Sequence, residues 1–188
     1  MSKSATTPTT TTPSILAARA AAYVGHTHIR LRGEQTGTIG VCNARTATAS
    51  ISLRLGTVLM TFWSAAASQG VLEAVAAARN GLTAVPDTIA AAADPYGTLA
   101  IAVDWTTRPS YAVVPQTRTT EDRRHTLRWV DVHMGPLTVQ ILDRAAHRSL
   151  TDLLREVHRT AIAVFLDGAE HAADPDADDY TPGHTDNR

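Results

Sequence analysis

The chain has 188 residues, of which 44% are hydrophobic and 19% charged, with a formal net charge of −1. That length suffices for one globular domain with a sizeable core, and the composition excludes a wholly disordered chain. No apolar run approaches the roughly 20 residues that span a bilayer, so no membrane partner is expected.

The single Cys42 excludes an internal disulfide and fits a reducing cytoplasm. The first residues, Met1-Ser-Lys-Ser-Ala-Thr-Thr-Pro, lack a charged region followed by an apolar stretch, so no secretory signal is expected. Lys3 is the only lysine beside sixteen arginines. We read this as the codon usage of a GC-rich bacterium rather than as selection for phosphate contacts. The net charge hides an asymmetry. Residues 1–166 carry sixteen Lys/Arg and eleven Asp/Glu (+5), and residues 167–188 carry seven acids and one arginine (−6).

Residues 1–13 are rich in Thr and Pro and are expected to form a disordered tail. Ser14 can cap a short alanine-rich helix reaching Val24. Alternation then predicts strands over 28–32 and 38–42, with Ile29, Leu31, Ile39 and Val41 inward. The stretch from Ser50 to Trp63 reads as a hairpin turning at Gly56-Thr57, because Gly at the first loop position suits a II′-type turn. The implied pairs are 55 with 58, 53 with 60 and 51 with 62, and all six residues are apolar. Ser64 stands where an N-cap belongs, ahead of a helix from Ala65 to about Arg79 that Asn80-Gly81 would stop.

A short helix over 86–93 and strands over 98–105 and 111–115 are expected next, with 116–124 a polar loop. The run Trp129 to Asp143 then repeats the hairpin. It turns at Gly135-Pro136 and pairs 134 with 137, 132 with 139 and 130 with 141, again all apolar. Asp143 is the expected N-cap of a long helix from Arg144 to about Leu166. A constant offset of 79 superposes Gly56 on Gly135, Ser64 on Asp143, Val71 on Leu150 and Val75 on Leu154. This points to internal duplication of a strand-strand-hairpin-helix unit over about 26–82 and 97–166. The expected fold is α+β: an antiparallel sheet of about eight strands with two helices on one face. A single domain over 14–167 would end in an acidic, disordered tail over 168–188.

Such a sheet leaves its outer face to be explained. The candidate binding residues there are Trp129, Asp131, His133, Thr138 and Gln140 from the second hairpin, with Arg54 and Trp63 from the first; Arg30 and Arg32 are neighbours on the strand before. Trp, Arg and small hydroxyl side chains on a sheet face suit either a protein interface or stacked bases with phosphates. Asp131 and His133 share one side of a strand, and an Asp orienting a His is half of a nucleophilic triad. Yet no Gly-x-Ser-x-Gly elbow accompanies them. His26, His28 and His125 lack the spacing of a metal site, and Asp174, Asp176 and Asp178 miss the Gly and Glu of a calcium loop.

No catalytic set is complete and no cofactor is called for. The preferred expectation is a non-catalytic cytoplasmic binding or regulatory module, acting through its open sheet face as a homodimer or on another protein. The alternative is nucleic-acid binding by the basic body, with the acidic tail competing. A hydrolase-like enzyme using Asp131 and His133 is the third reading.

Overall fold

A computed structural model describes residues 24–90, 99–122, 124–177 and 179–181. The expected N-terminal tail and the helix from Ser14 lie, apart from Val24, outside the described residues. Among the described residues, eight strands and two α-helices follow in the order β1 (Thr27–Leu31), β2 (Thr38–Cys42), β3 (Ser50–Leu55), β4 (Val58–Phe62), α1 (Ala65–Ala76), β5 (Ile101–Trp105), β6 (Tyr111–Thr119), β7 (Thr126–Met134), β8 (Leu137–Ile141) and α2 (Arg144–Val164). The class is α+β with mostly antiparallel pairing, as composition and periodicity imply.

Both hairpins form in the expected register. Leu55 faces Val58, Leu53 faces Met60 and Ile51 faces Phe62. Met134 faces Leu137, Val132 faces Val139 and Val130 faces Ile141. Gly56 and Gly135 adopt φ of +54° and +58°, while neither Thr57 nor Pro136 takes a positive φ. A positive φ at the first loop position alone fits the II′ geometry. All twelve paired residues but Val58 are buried, so the turn fixes the register and the register builds the core.

The strands divide into two sheets rather than one. The first has the order β1-β8-β7-β6 and the second β2-β3-β4-β5. In each, two antiparallel pairings are followed by one parallel pairing: β4 with β5 in the second sheet, β8 with β1 in the first. Each sheet thus takes its outermost parallel strand from the other half of the chain.

Ser64 and Asp143 cap α1 and α2 by accepting from Ala67 N and Ala146 N. The helices run antiparallel. His147, early in α2, bonds the Val75 carbonyl near the end of α1, and Asp167, just past α2, accepts from Ala65 N and Ala66 N at the start of α1. Helix α1 packs on β4 of one sheet and on β6 and β7 of the other, which is why Ser68, Gln69 and Glu73 are buried along with its apolar stripe. The core is one continuous cluster in which Ile51, Leu53, Phe62, Val130, Val132 and Ile141 have no exposed surface.

Several boundaries differ from expectation. Asn80-Gly81 does not end the first helix; a 3-10 turn carries it over Ala77–Ala84. Residues 86–90 are irregular rather than helical, and the remainder of that expected helix lies outside the described residues. Strand β6 continues to Thr119 through the supposed loop; Pro115 is tolerated because β6 is an edge strand.

Of the expected acidic tail, residues 168–177 and 179–181 are described and make contacts with the body: Asp176 pairs with Arg79 and Arg155, and the Tyr180 hydroxyl donates to Glu73 at 2.7 Å. Glu73, 6% exposed on α1, also accepts from Arg108 and, at 3.0 Å, from Tyr111. Burial, then the Glu73 carboxylate, push the Tyr111 phenol up to about 12. Among the described residues no helix is long and apolar enough to cross a membrane.

Candidate functional site

The outer face of the first sheet is not an open plane. Strand β8 is central, and Leu137, Thr138, Val139, Gln140 and Ile141 are all buried. The polar residues on its outer side are enclosed by longer neighbours and hydrogen-bonded, as burial requires.

Two chains of hydrogen bonds result. In the first, Asp131, 6% exposed, accepts on one oxygen from the Trp129 indole N–H at 2.8 Å and from the Gln140 amide at 3.0 Å. The Gln140 carbonyl oxygen then accepts from Arg30 Nε at 2.8 Å. In the second, the Thr138 hydroxyl lies between His133 Nδ1 at 2.8 Å and His26 Nε2 at 3.1 Å. Asp131 is therefore engaged by Trp129 and Gln140, and it does not orient His133. Among the described residues, the hydroxyl bonded to His133 is that of Thr138, which has no exposed surface to offer a substrate.

The first chain opens into a pocket of about 600 Å³. Its floor is the far end of the sheet face, with Trp129, Gln140 and Leu142, and its cationic side chains are Arg30, Arg118 and Arg128. The opposite wall is the segment after the 3-10 turn, with Val85, Pro86 and Ile89. No acidic side chain is among the described residues that line it.

The wall is fixed to the start of α2. Arg144 N and Ala145 N donate to the carbonyls of Pro86 and Asp87, both at 2.9 Å. Asp143, fully buried, caps Ala146 with one carboxylate oxygen. With the other it accepts from Gly33 N at 2.7 Å and Ile89 N at 2.9 Å. One side chain thereby joins α2, the loop after β1 and the pocket wall.

Electrostatically the site favours an anion. Three guanidiniums face a cavity that no carboxylate lines among the described residues, and Asp131, bonded to Trp129 and Gln140 of its floor, is already committed. Guanidinium forks match carboxylate and phosphate oxygens, and the Trp129 ring with Val85, Pro86, Ile89 and Leu142 suits an apolar or aromatic body.

Of the residues singled out from sequence, Trp129, Asp131 and Gln140 come together here. His133 and Thr138 form the separate histidine chain. Arg54 and Trp63 lie on the second sheet, where both are exposed; Trp63 donates to Asp104 at 3.1 Å. The outer side of that sheet, with Thr38, Arg54, Ala102, Asp104 and Trp63 exposed, is the open face that sequence assigned to the whole fold.

Sequence reading missed Arg118 and the Val85–Ile89 wall. Alternation continuing through Gln116 and Arg118 was the available signal for the former; the wall has none, because it is irregular chain. The rings of His26, just before β1, and His28, within it, are centred 4.4 Å apart, while His125 lies beside the turn joining β6 to β7, across the sheet.

The arrangement defines an α+β protein of two sheets with exchanged parallel strands and an arginine-rimmed, partly apolar pocket. No family model, curated protein or solved structure matches the chain.

Proposed function

We propose that the protein is a non-catalytic binding module whose outer-face pocket takes an anionic ligand with an aromatic or apolar body. The carrying observation is a cavity of about 600 Å³ that gathers Arg30, Arg118, Arg128 and Trp129, with no acidic side chain among the described residues that line it. Asp131 and Gln140 serve as positioning residues: they hold the indole and the Arg30 guanidinium before a ligand arrives, which lowers the ordering cost of binding. The exposed, unpaired Cys42 supports a reducing, cytoplasmic setting.

The test uses 2-naphthoate against the neutral 2-naphthamide, followed by quenching of Trp129 fluorescence in a variant lacking Trp63 and Trp105. Naphthoate should bind at least tenfold more tightly than the amide, and Arg30→Ala, Arg118→Ala and Arg128→Ala should each narrow that gap. Equal binding of acid and amide would sink the reading.

A second reading, single-stranded nucleic acid, is favoured by the same three arginines around one tryptophan, since phosphates and a stacked base need both. It predicts steeply salt-dependent retention of an oligonucleotide, and retention that ignores salt would rule it out. Self-association belongs to the open second sheet with Arg54 and Trp63. Light scattering that gives a monomer at all concentrations would remove it.

A further inference from the structure

We propose that the cleft between the end of α1 and the first turns of α2 is a second binding site, for the phosphate group of a small molecule, with the Asp176 carboxylate standing at its edge. This cleft, of about 500 Å³, is separate from the arginine pocket, sharing only Thr83 with it. Arg79, Arg144 and Arg148 line it, together with His147, Asp152 and Asp176.

Thr151 points to a ligand. It lies in α2, is 5% exposed, lines the cleft, and its hydroxyl has no hydrogen-bond partner among the described residues. Hydroxyl side chains inside helices ordinarily return their proton to the carbonyl four residues earlier. Ser149 and Thr160 in the same helix do so, to Ala145 O and Glu156 O, both at 2.8 Å. Thr151 does not. A buried hydroxyl without a partner is costly unless something else supplies one.

The charges around it are balanced at present by carboxylates of this chain. Asp176 pairs with Arg79 and Arg155, and Asp152 with Arg155 at 3.2 Å. Arg144 meets Asp87 at 2.9 Å and Arg148 meets it at 4.0 Å, but Asp87 is exposed and water screens that pair. Asp176 differs, because its side chain is only 5% exposed. It is an internal anion on a cationic cleft, brought there by a segment that Tyr180 ties to Glu73.

His147 adds a neutral wall, since burial keeps its pKa below the ordinary value and its Nε2 is bound to the Val75 carbonyl. A phosphate offers enough oxygens to accept from Arg144, Arg148 and Thr151 together, where a carboxylate offers two.

Calorimetry on the full chain with pyrophosphate at low ionic strength tests this. Pyrophosphate should bind, Asp176→Asn should tighten it at least fivefold, and Arg148→Ala should weaken it at least fivefold. Thr151→Val should weaken it by a similar factor while Thr151→Ser stays within twofold of the parent, which separates a hydroxyl contact from damage to the helix. Absence of heat in both the parent and Asp176→Asn, or equal affinity in Thr151→Val and the parent, would overturn the site. Citrate binding as tightly as pyrophosphate would overturn its assignment to phosphate. Arg118→Ala should leave pyrophosphate affinity unchanged; a fall there would place the anion in the arginine pocket instead.

Discussion

Replacing Asp143 by alanine removes the acceptor for three backbone N–H groups at once: Ala146, Gly33 and Ile89, at 2.8, 2.7 and 2.9 Å. Loss of an N-cap costs about 1–2 kcal/mol. Each further N–H left without its acceptor adds about 1 kcal/mol, the low end of the range because Gly33 and Ile89 are half-buried. The sum is about 3–4 kcal/mol, equivalent to a fall in Tm of roughly 6–16 °C for a domain of this size.

Ser64 is the matched control, because it stands at the same place before α1 but accepts only from Ala67 N, at 3.1 Å. Ser64→Ala should cost about 1 kcal/mol. Asp143→Asn keeps one acceptor but turns an N–H₂ toward two other donors, so about 2 kcal/mol is expected. Urea denaturation followed in parallel by far-UV circular dichroism and tryptophan fluorescence measures all three. If Asp143→Ala cost no more than Ser64→Ala, the carboxylate would be a helix cap only, and the account of the pocket wall would fall. Asp143→Ala should also weaken 2-naphthoate binding, because Ile89 loses its tether.

Arg108→Ala leaves the Glu73 carboxylate buried with only the two tyrosine hydroxyls, at a cost of about 3 kcal/mol. Proteolysis or amide exchange should show residues 172–181 released ahead of the rest, and a uniform loss of protection would argue against that strap. Burial lowers the pKa of both His147 and His158, so the unfolded chain takes up protons first as pH falls. Stability should be full above the ordinary histidine pKa near 6.5 and decline below it, and His158→Gln should flatten that slope in urea titrations between pH 5 and 8. The raised Tyr111 acts at the other end: its contribution is complete below pH 10.0 and lost between there and about 12. Tyr111→Phe should therefore reduce the alkaline fall in Tm. Gly135→Ala introduces no clash but strains a φ of +58°, and should cost about 1 kcal/mol by urea titration. No loss would mean that the turn relaxes.

What sequence revealed was local. Gly56 and Gly135 fix two turns, alternation fixes six pairs, and Ser64 and Asp143 mark two helix starts. Each signal lies within a few residues of what it specifies. The division into two sheets was not legible, because β1 and β8 pair in parallel across 110 positions with no turn to announce the contact. The candidate site shows the same limit. Trp129, Asp131 and Gln140 were found on one sheet face, but alternation cannot distinguish an exposed polar face from one buried and hydrogen-bonded. Arg108, invisible as a motif, is placed by the fold against Glu73, 35 residues away.

The exchanged strands also constrain how the chain is made. In synthesis from the N-terminus, β1 emerges more than a hundred residues before β8, and β4 emerges some forty before β5. The half that leaves the ribosome first can form its hairpin and α1 but not complete its sheet, and it must carry an unmatched β1 until β8 has been made. Neither half is a module that evolution or an engineer could lift out intact. Two fragments parted between β4 and β5 should instead recognise each other, since each holds the strand that the other lacks.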